Sequence, residues 1–221
     1  MSQIKLKVKT ITQKYSIIIG KNLCTKISQL SKVNKINFKQ CLLVIDKNIP
    51  KKFVSLIKKS LKQKKVYIYY LNANEINKNI NNVNKILKTL LDKNFSREDC
   101  LISVGGGITG DVAGFAASLF KRGMKFINLP TTLLSQVDSS IGGKTGVNSK
   151  YGKNLIGSFY QPNLVISDIN FLKTLPQREI VCGYGEILKH SLIGDKKFFY
   201  FLNKNKDNIF KLSSPFIEKA I

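Results

Sequence analysis

Histidine occurs once in this 221-residue sequence, at His190, tryptophan is absent, and only 13 acidic residues face 37 lysines and arginines. A single imidazole excludes any metal centre that draws two histidines from this stretch. No apolar run approaches the roughly 18 residues needed to cross a bilayer. There is also no apolar leader ending in a small-residue cleavage site, so a cytoplasmic protein with no membrane partner is expected. Cys24, Cys41, Cys100 and Cys182 are scattered without a C-x-x-C pair, which removes the common zinc and dithiol motifs and leaves reduced, structural thiols.

The scarcity of acid gives a formal charge of +24, enough to raise nucleic acid as a partner, because neutralised phosphates drive non-specific binding. The distribution argues otherwise. From Leu101 to His190 nine lysines and arginines meet five acidic residues, a net of +4, so the remaining +20 lies elsewhere. It sits in lysine- and asparagine-rich stretches such as Lys58 to Lys65 and Lys196 to Lys211, which read as solvated faces. No nucleic acid is expected.

What is present is a regular alternation of elements. Ile4, Leu6 and Val8, then Tyr15, Ile17 and Ile19, alternate with polar residues as the two arms of a β-hairpin would. A short helix at Leu23 to Leu30 precedes a buried strand, Cys41 to Ile45, ending at Asp46, a ribose-holding or a turn residue. A helix at Pro50 to Gln63 and a strand at Lys65 to Leu71 follow. Ile76, Ile80, Val83, Leu87 and Leu90 then form one helical stripe.

The glycines cluster from Leu101 to Asn154. Cys100 to Val104 runs into Gly105, Gly106 and Gly107, and Asp111 opens a helical segment with Val112, Phe115, Ala116, Leu119 and Phe120. Gly105, Gly107 and Gly110 satisfy G-x-G-x-x-G, a turn that lets backbone approach a pyrophosphate at the positive end of a helix. The next strand, Lys125 to Leu129, ends in Pro130, Thr131 and Thr132 rather than in the acidic residue of the usual dinucleotide fold. Its hydroxyls reach the strand end where open parallel sheets bind ligands. Asp138 follows, then Gly142, Gly143 and Lys144, then Gly152, Lys153 and Asn154. Two lysines introduced by glycine suggest cationic approaches to phosphate or carboxylate. Asn163 to Ser167 is a further strand.

After Thr174 the pattern is helical, with Thr174 as a cap, Pro176 in the first turn, and a break at Gly183 or Gly185 into a second helix. Glu186 and Lys189 lie one turn apart, as a surface ion pair or as part of a site. His190 either shares a metal with Glu186 or is an ordinary helix histidine. Ser214 and Pro215 read as a cap and first turn, with under two turns after them.

The segments GGGITGDVAGFAA, KRGMKFINLPTTLLSQVDSSIGGKTGVN and GKNLIGSFYQP, in that order, resemble the signature of the 3-dehydroquinate synthase family. The resemblance runs from about Ile4 to the last residue and covers the family's nucleotide domain and the start of its helical domain. It implies an α/β fold, a mostly parallel Rossmann-like sheet with an amino-terminal β-hairpin over residues 1–170. The start of an all-helical metal and substrate domain, incomplete in this chain, is implied over 171–221.

The resemblance also implies an activity: conversion of 3-deoxy-D-arabino-heptulosonate 7-phosphate to 3-dehydroquinate and phosphate, with NAD and Zn2+ (or Co2+) as cofactors, in a homodimer. It assigns Glu75, Lys78, Gly106, Gly107, Ile108, Thr109, Gly110, Asp111, Thr131, Thr132, Phe171, Leu172, Lys173 and Thr174 to NAD. Asp138, Lys144 and Lys153 lie between cofactor and substrate, and Asn154 and Lys189 orient the phosphorylated sugar acid. Glu186 is implied as a metal ligand beside two histidines further along, and Arg122 as an arginine reaching the neighbouring subunit's substrate. Ala73 and Asn74 depart from the family's aspartate and glycine. Read from the residues alone, Glu75 and Lys78 equally suit a helix start, and Arg122 a helix C-terminal cation. Three readings stand: this synthase or its amino-terminal part; a sugar-phosphate cyclase or metal-dependent polyol dehydrogenase on the same scaffold; or a non-catalytic NAD-binding remnant. With two metal ligands missing, the chain alone is expected to bind NAD and turn over poorly.

Overall fold

A computed structural model of the chain describes all residues except Met1, Ser2, Thr12, Ser214 and Pro215, so the cap expected at Ser214 and Pro215 lies outside the described residues. The amino-terminal hairpin is present: β1 (Ile4–Lys9) and β2 (Lys14–Gly20) pair antiparallel, Ile4 opposite Ile19. The other strands of the main sheet are β3 (Gln40–Asp46), β4 (Lys65–Leu71), β5 (Cys100–Gly105), β6 (Lys125–Pro130) and, later in the chain, β9 (Leu164–Asp168). The sheet order is β1-β2-β9-β6-β5-β3-β4, and every pairing beyond β1 is parallel.

Helices cover both faces, and the strands show why. On β3, Leu43 and Ile45 pack with Ile27 of α1 (Ile27–Val33) and with Phe53 and Ile57 of α2 (Lys51–Ser60). Leu42 and Val44 point the other way, onto Val83 and Ile86 of α3 (Ile80–Asp92) and Val112 and Phe115 of α4 (Gly107–Leu119). A parallel strand buried on both faces needs an apolar residue at every position, so it reads as a run rather than an alternation. Each such side chain contributes about 1.5–3 kcal/mol on burial, an upper bound because unfolded chains are already partly collapsed.

The starts of α3 and α4 differ from the sequence expectation, and α1 is preceded by a 3-10 turn at Leu23–Lys26. Asn79 caps α3, its Oδ1 accepting the Asn82 N–H at 3.1 Å. Ile76 therefore falls outside the helix at 86% exposure, and the buried face is Val83, Ile86 and Leu90. α4 opens at Gly107 instead of Asp111, directly out of the glycine turn. Between β6 and β9 the chain also forms an antiparallel hairpin of β7 (Lys144–Ser149) and β8 (Gly152–Phe159), for which the sequence pattern gave no strand.

The helical tail shares a core with the sheet. Ile180 and Ile187 of α5 (Gln177–Gly194), Leu202 and Ile209 of α6 (Lys196–Phe210) and Ile217 of α7 (Phe216–Ala220) pack with Tyr15, Ile17, Ile19, Leu133 and Val165. The break expected at Gly183 or Gly185 does not occur, and α5 runs unbroken for 18 residues. A Cβ at Gly183 would stand 2.5 Å from Leu133 Cβ, so this glycine serves a close helix approach rather than a turn. The cost of glycine inside a helix, about 1 kcal/mol, is met by that packing.

Candidate functional site

Parallel pairing places the carboxyl ends of β3, β5, β6 and β9 on one edge, with Gly105 opposite Pro130 and Ile45 opposite Val104. Ligands of open α/β sheets bind beyond that edge. Here it presents a helix start without side chains. Gly106 is the N-cap of α4 and has no side chain to cap with, so the N–H groups of the first turn are directed outward. Space for an approaching group depends on the missing Cβ atoms: one on Gly106 would lie 3.1 Å from Thr132 Cγ2, and one on Gly107 would lie 2.9 Å from Ser139 Oγ. Beside the turn, the buried hydroxyls of Thr109 and Ser140 have no hydrogen-bond partner among the described residues. Outward N–H groups, a positive helix end and a cradle that any Cβ would fill fit the diphosphate of a dinucleotide.

The loop after β6 supplies the opposite wall. Thr131 is buried, its N–H donating to Gly105 O at 3.0 Å. Thr132 acts as a local cap, its Oγ1 accepting the Ser135 N–H at 3.2 Å, which leads into a wide π turn at Ser135–Ser139. That turn carries Ser139 to Gly107 and Asp138 to the helical tail. Gly142 and Gly143, at φ +85 and +68, then reverse the chain in a conformation that L side chains rarely adopt, and deliver Lys144 at the start of β7. Lys144 lines one small cavity together with Gly110, Asp111 and Ser139.

A second network closes the side near β4. The Lys78 Nζ lies 2.5 Å from Asp111 Oδ2 and 2.6 Å from Asn154 Oδ1, and Glu75 Oε1 lies 3.9 Å from Lys153 Nζ. Asn148, not singled out in the sequence, joins them: its Nδ2 donates to Glu75 Oε1 at 3.0 Å, and its Oδ1 accepts the Asn154 N–H at 2.9 Å. Burial pushes the Asp111 carboxyl above the ordinary carboxylate range, opposed by Lys78 and reinforced by Glu75. Asp46, at the end of β3, is also pushed up by burial, against hydrogen bonds from Asn48.

The third group lies where α5 meets the π turn. One ligand atom each from Asp138, Glu186 and His190 fall within 4.8 Å of one another, and His190 Nε2 is 2.9 Å from Glu186 Oε1. Two carboxylates and an imidazole at that separation suit a divalent metal. Lys189 also reaches Glu186 Oε1. Its hydrogen bond holds the Glu186 carboxyl below the ordinary range, partly offset by burial and supported by His190. His190 therefore stands with Glu186 and Asp138 and is half exposed, not an isolated helix residue.

The remaining sequence candidates fall at the margins. Phe171 and Leu172 are core side chains at 1% exposure, Lys173 is exposed, and the Thr174 hydroxyl donates to Phe171 O at 2.9 Å rather than capping α5. Arg122 sits in a run of three positive φ angles, Lys121 49, Arg122 64 and Gly123 117, exposed and with no ion pair among the described residues. Asp168, fully buried, accepts the N–H groups of Asn22, Cys24 and Asn170, a clamp on the loop after β2.

A family profile described as 3-dehydroquinate synthase N-terminal matches residues 68–182. The curated 3-dehydroquinate synthase of Pelagibacter ubique (strain HTCC1062) is 69% identical over the whole chain, and that of Alkaliphilus metalliredigens (strain QYMF) is 42% identical over 98% of it. The chain spans 60% of the length of each. Among solved structures, the 2-epi-5-epi-valiolone synthase ValA of Streptomyces hygroscopicus subsp. jinggangensis 5008, with NAD+ and Zn2+ bound, superposes with a TM-score of 0.81 at 26% identity, covering 93% of this chain and 57% of ValA. A 2-deoxy-scyllo-inosose synthase complexed with carbaglucose-6-phosphate, NAD+ and Co2+ gives 0.78 at 28% identity, over 84% of this chain and 50% of that one.

Proposed function

The chain belongs to the 3-dehydroquinate synthase family, and from that premise we propose that it carries the NAD-binding part of the enzyme that converts 3-deoxy-D-arabino-heptulosonate 7-phosphate to 3-dehydroquinate and phosphate. The observation that carries this reading is the π turn at Ser135–Ser139, which joins the side-chain-free start of α4 to the acidic group at α5 through adjacent residues. A ligand at the glycine turn and another at Glu186 would thus be joined through the adjacent residues Ser139 and Asp138 of one turn.

In this reading residues 1–170 are the cofactor domain and 171–221 the beginning of a helical one. The first-turn N–H groups after Gly106 bind the diphosphate, and Gly107 keeps the approach open. Bound NAD would take a hydride from the carbon that bears one sugar hydroxyl and return it there, and a divalent metal would act as a Lewis acid on that hydroxyl's oxygen. Lys144, Lys153 and Lys189 present cations for the phosphate and carboxylate of a phosphorylated sugar acid, and Asn154 presents an amide. Asp138 and Glu186 supply carboxylate oxygens for the metal and for a substrate hydroxyl. Tyr151, Leu155 and Phe159 of the β7–β8 hairpin are 80%, 62% and 81% exposed, an apolar strip that supports a homodimer, with Arg122 extended toward the partner. A soluble cytoplasmic setting belongs to the same proposal; among the described residues no helix is long and apolar enough to cross a membrane.

Calorimetric titration with NAD, then a phosphate-release assay on the heptulosonate phosphate with added zinc, tests this, with sedimentation equilibrium on the same sample reporting the dimer. Saturable NAD binding is expected, with at most slow release that requires both NAD and zinc. A folded chain that does not bind NAD, or release independent of both, would overturn the proposal.

A further inference from the structure

We propose that Gln136 is a positioning residue: its buried carboxamide pins the π turn to the ends of two strands and thereby sets Asp138 toward Glu186 and His190. Gln136 is 1% exposed. Its Nε2 lies 3.0 Å from the carbonyl oxygen of Pro130, the last residue of β6, and 3.2 Å from that of Asp168, the last residue of β9. Carbonyl oxygens only accept, so the amide donates both bonds and both of its N–H groups are engaged. β6 and β9 pair at Ile127–Leu164 and Asn128–Val165, and beyond that ladder Gln136 bridges the two strands at the edge where the site lies. Asp168 is itself fixed, because its carboxylate accepts the N–H groups of Asn22, Cys24 and Asn170.

The turn needs such an anchor. It closes on backbone bonds alone, Ser140 N–H to Ser135 O at 3.1 Å and Ile141 N–H to Asp138 O at 3.0 Å, and runs straight into Gly142 and Gly143 at positive φ. The Asp138 carboxylate is exposed and has no hydrogen bond among the described residues, so its place is set by the backbone that carries it. Gln136 Oε1 points to the same role. It is buried with no hydrogen-bond partner among the described residues. An unpaired buried acceptor is destabilising, and an apolar side chain of methionine's shape would fill the space without one. What glutamine adds at this position is the pair of donated bonds.

The inference rests on the reading of Asp138, Glu186 and His190 as a metal group, and the experiment separates the two. Cobalt affinity, followed by absorption, is measured for the chain as it is, for Gln136→Met, for Asp138→Asn, for the double variant, and for Ile57→Val, a buried control in α2. Gln136→Met is expected to weaken cobalt by about tenfold, the usual effect of removing a ligand's support, and to add no more than about threefold on top of Asp138→Asn. Ile57→Val should leave cobalt affinity unchanged. Losses that add in full, or an equal loss in the control, overturn the proposal. Backbone amide exchange on the metal-free chains gives a second readout: the Ser140 and Ile141 amides should exchange about tenfold faster in Gln136→Met and at the original rate in Ile57→Val. If the original chain binds no cobalt, or Asp138→Asn costs nothing, the metal reading fails, and unaccelerated exchange would still sink this one. Should Gln136→Met not fold, the side-chain amide of Gln136 in the original chain decides. Exchange slower than that of the exposed Gln63 supports the anchor, and exchange as fast defeats it.

Discussion

The glycine turn at Gly105–Gly110 and the acidic group at Asp138, Glu186 and His190 lie on the same edge but are made of opposite materials. In the turn the functional surface is backbone: Thr109 and Gly110 are buried, and the helix start owes its openness to atoms that are not there. In the acidic group it is charged side chains on two separate elements, brought together because Gly183 lets α5 close on Leu133. The first is fixed by volume and should respond sharply to one added methyl group. The second is fixed by charge on a helix and should respond to changed protonation while keeping its shape.

The largest effect that would break this contrast is at Gly107. Gly107→Val places branched carbons against Ser139 and over the first-turn N–H groups, and is expected to weaken NAD by about 100-fold, the loss of two or so charge-assisted hydrogen bonds, with little change in unfolding temperature. An unchanged calorimetric affinity would show that the cradle is not the binding surface. Glu186→Gln comes next. It keeps the volume and removes the charge, so zinc or cobalt affinity, followed by cobalt absorption, is expected to fall by about 10- to 100-fold while NAD affinity holds. A parallel loss of NAD affinity would mean that the two regions are not separable.

The smallest effect is a titration. Lys189 holds the Glu186 carboxyl below its ordinary range, with His190 assisting and burial opposing. A depressed carboxylate contributes stability that is fully present above the unfolded-state value and is lost as the pH falls through the folded one. Carboxyl carbon NMR should therefore place Glu186 below a typical glutamate, and Lys189→Met should move it upward. A titration that does not respond would assign the depression to another group.

How much was legible in the sequence follows the same division. Features encoded along a few consecutive residues came through: the buried run at Cys41 to Ile45, the hairpin at Ile4 to Gly20, and the glycine turn after Val104, because strand pleat and turn chemistry act between near neighbours. Local pattern misled where a distant contact set the outcome. Ile76 continues the α3 stripe in sequence, but Asn79 caps the helix after it. Gly183 reads as a helix break and is a packing contact to Leu133.

By itself, then, the sequence determined the parallel sheet, the order of its elements, and the family to which the glycine and lysine segments belong. Only the tertiary structure decided that Lys78 is buried between Asp111 and Asn154, that residues 144–159 fold as a hairpin, and that His190 stands beside Asp138. The physical reason is range. Periodicity and turn propensity are short-range properties of the chain, whereas the neutralisation of a buried charge depends on which segments the packed core brings within hydrogen-bonding distance.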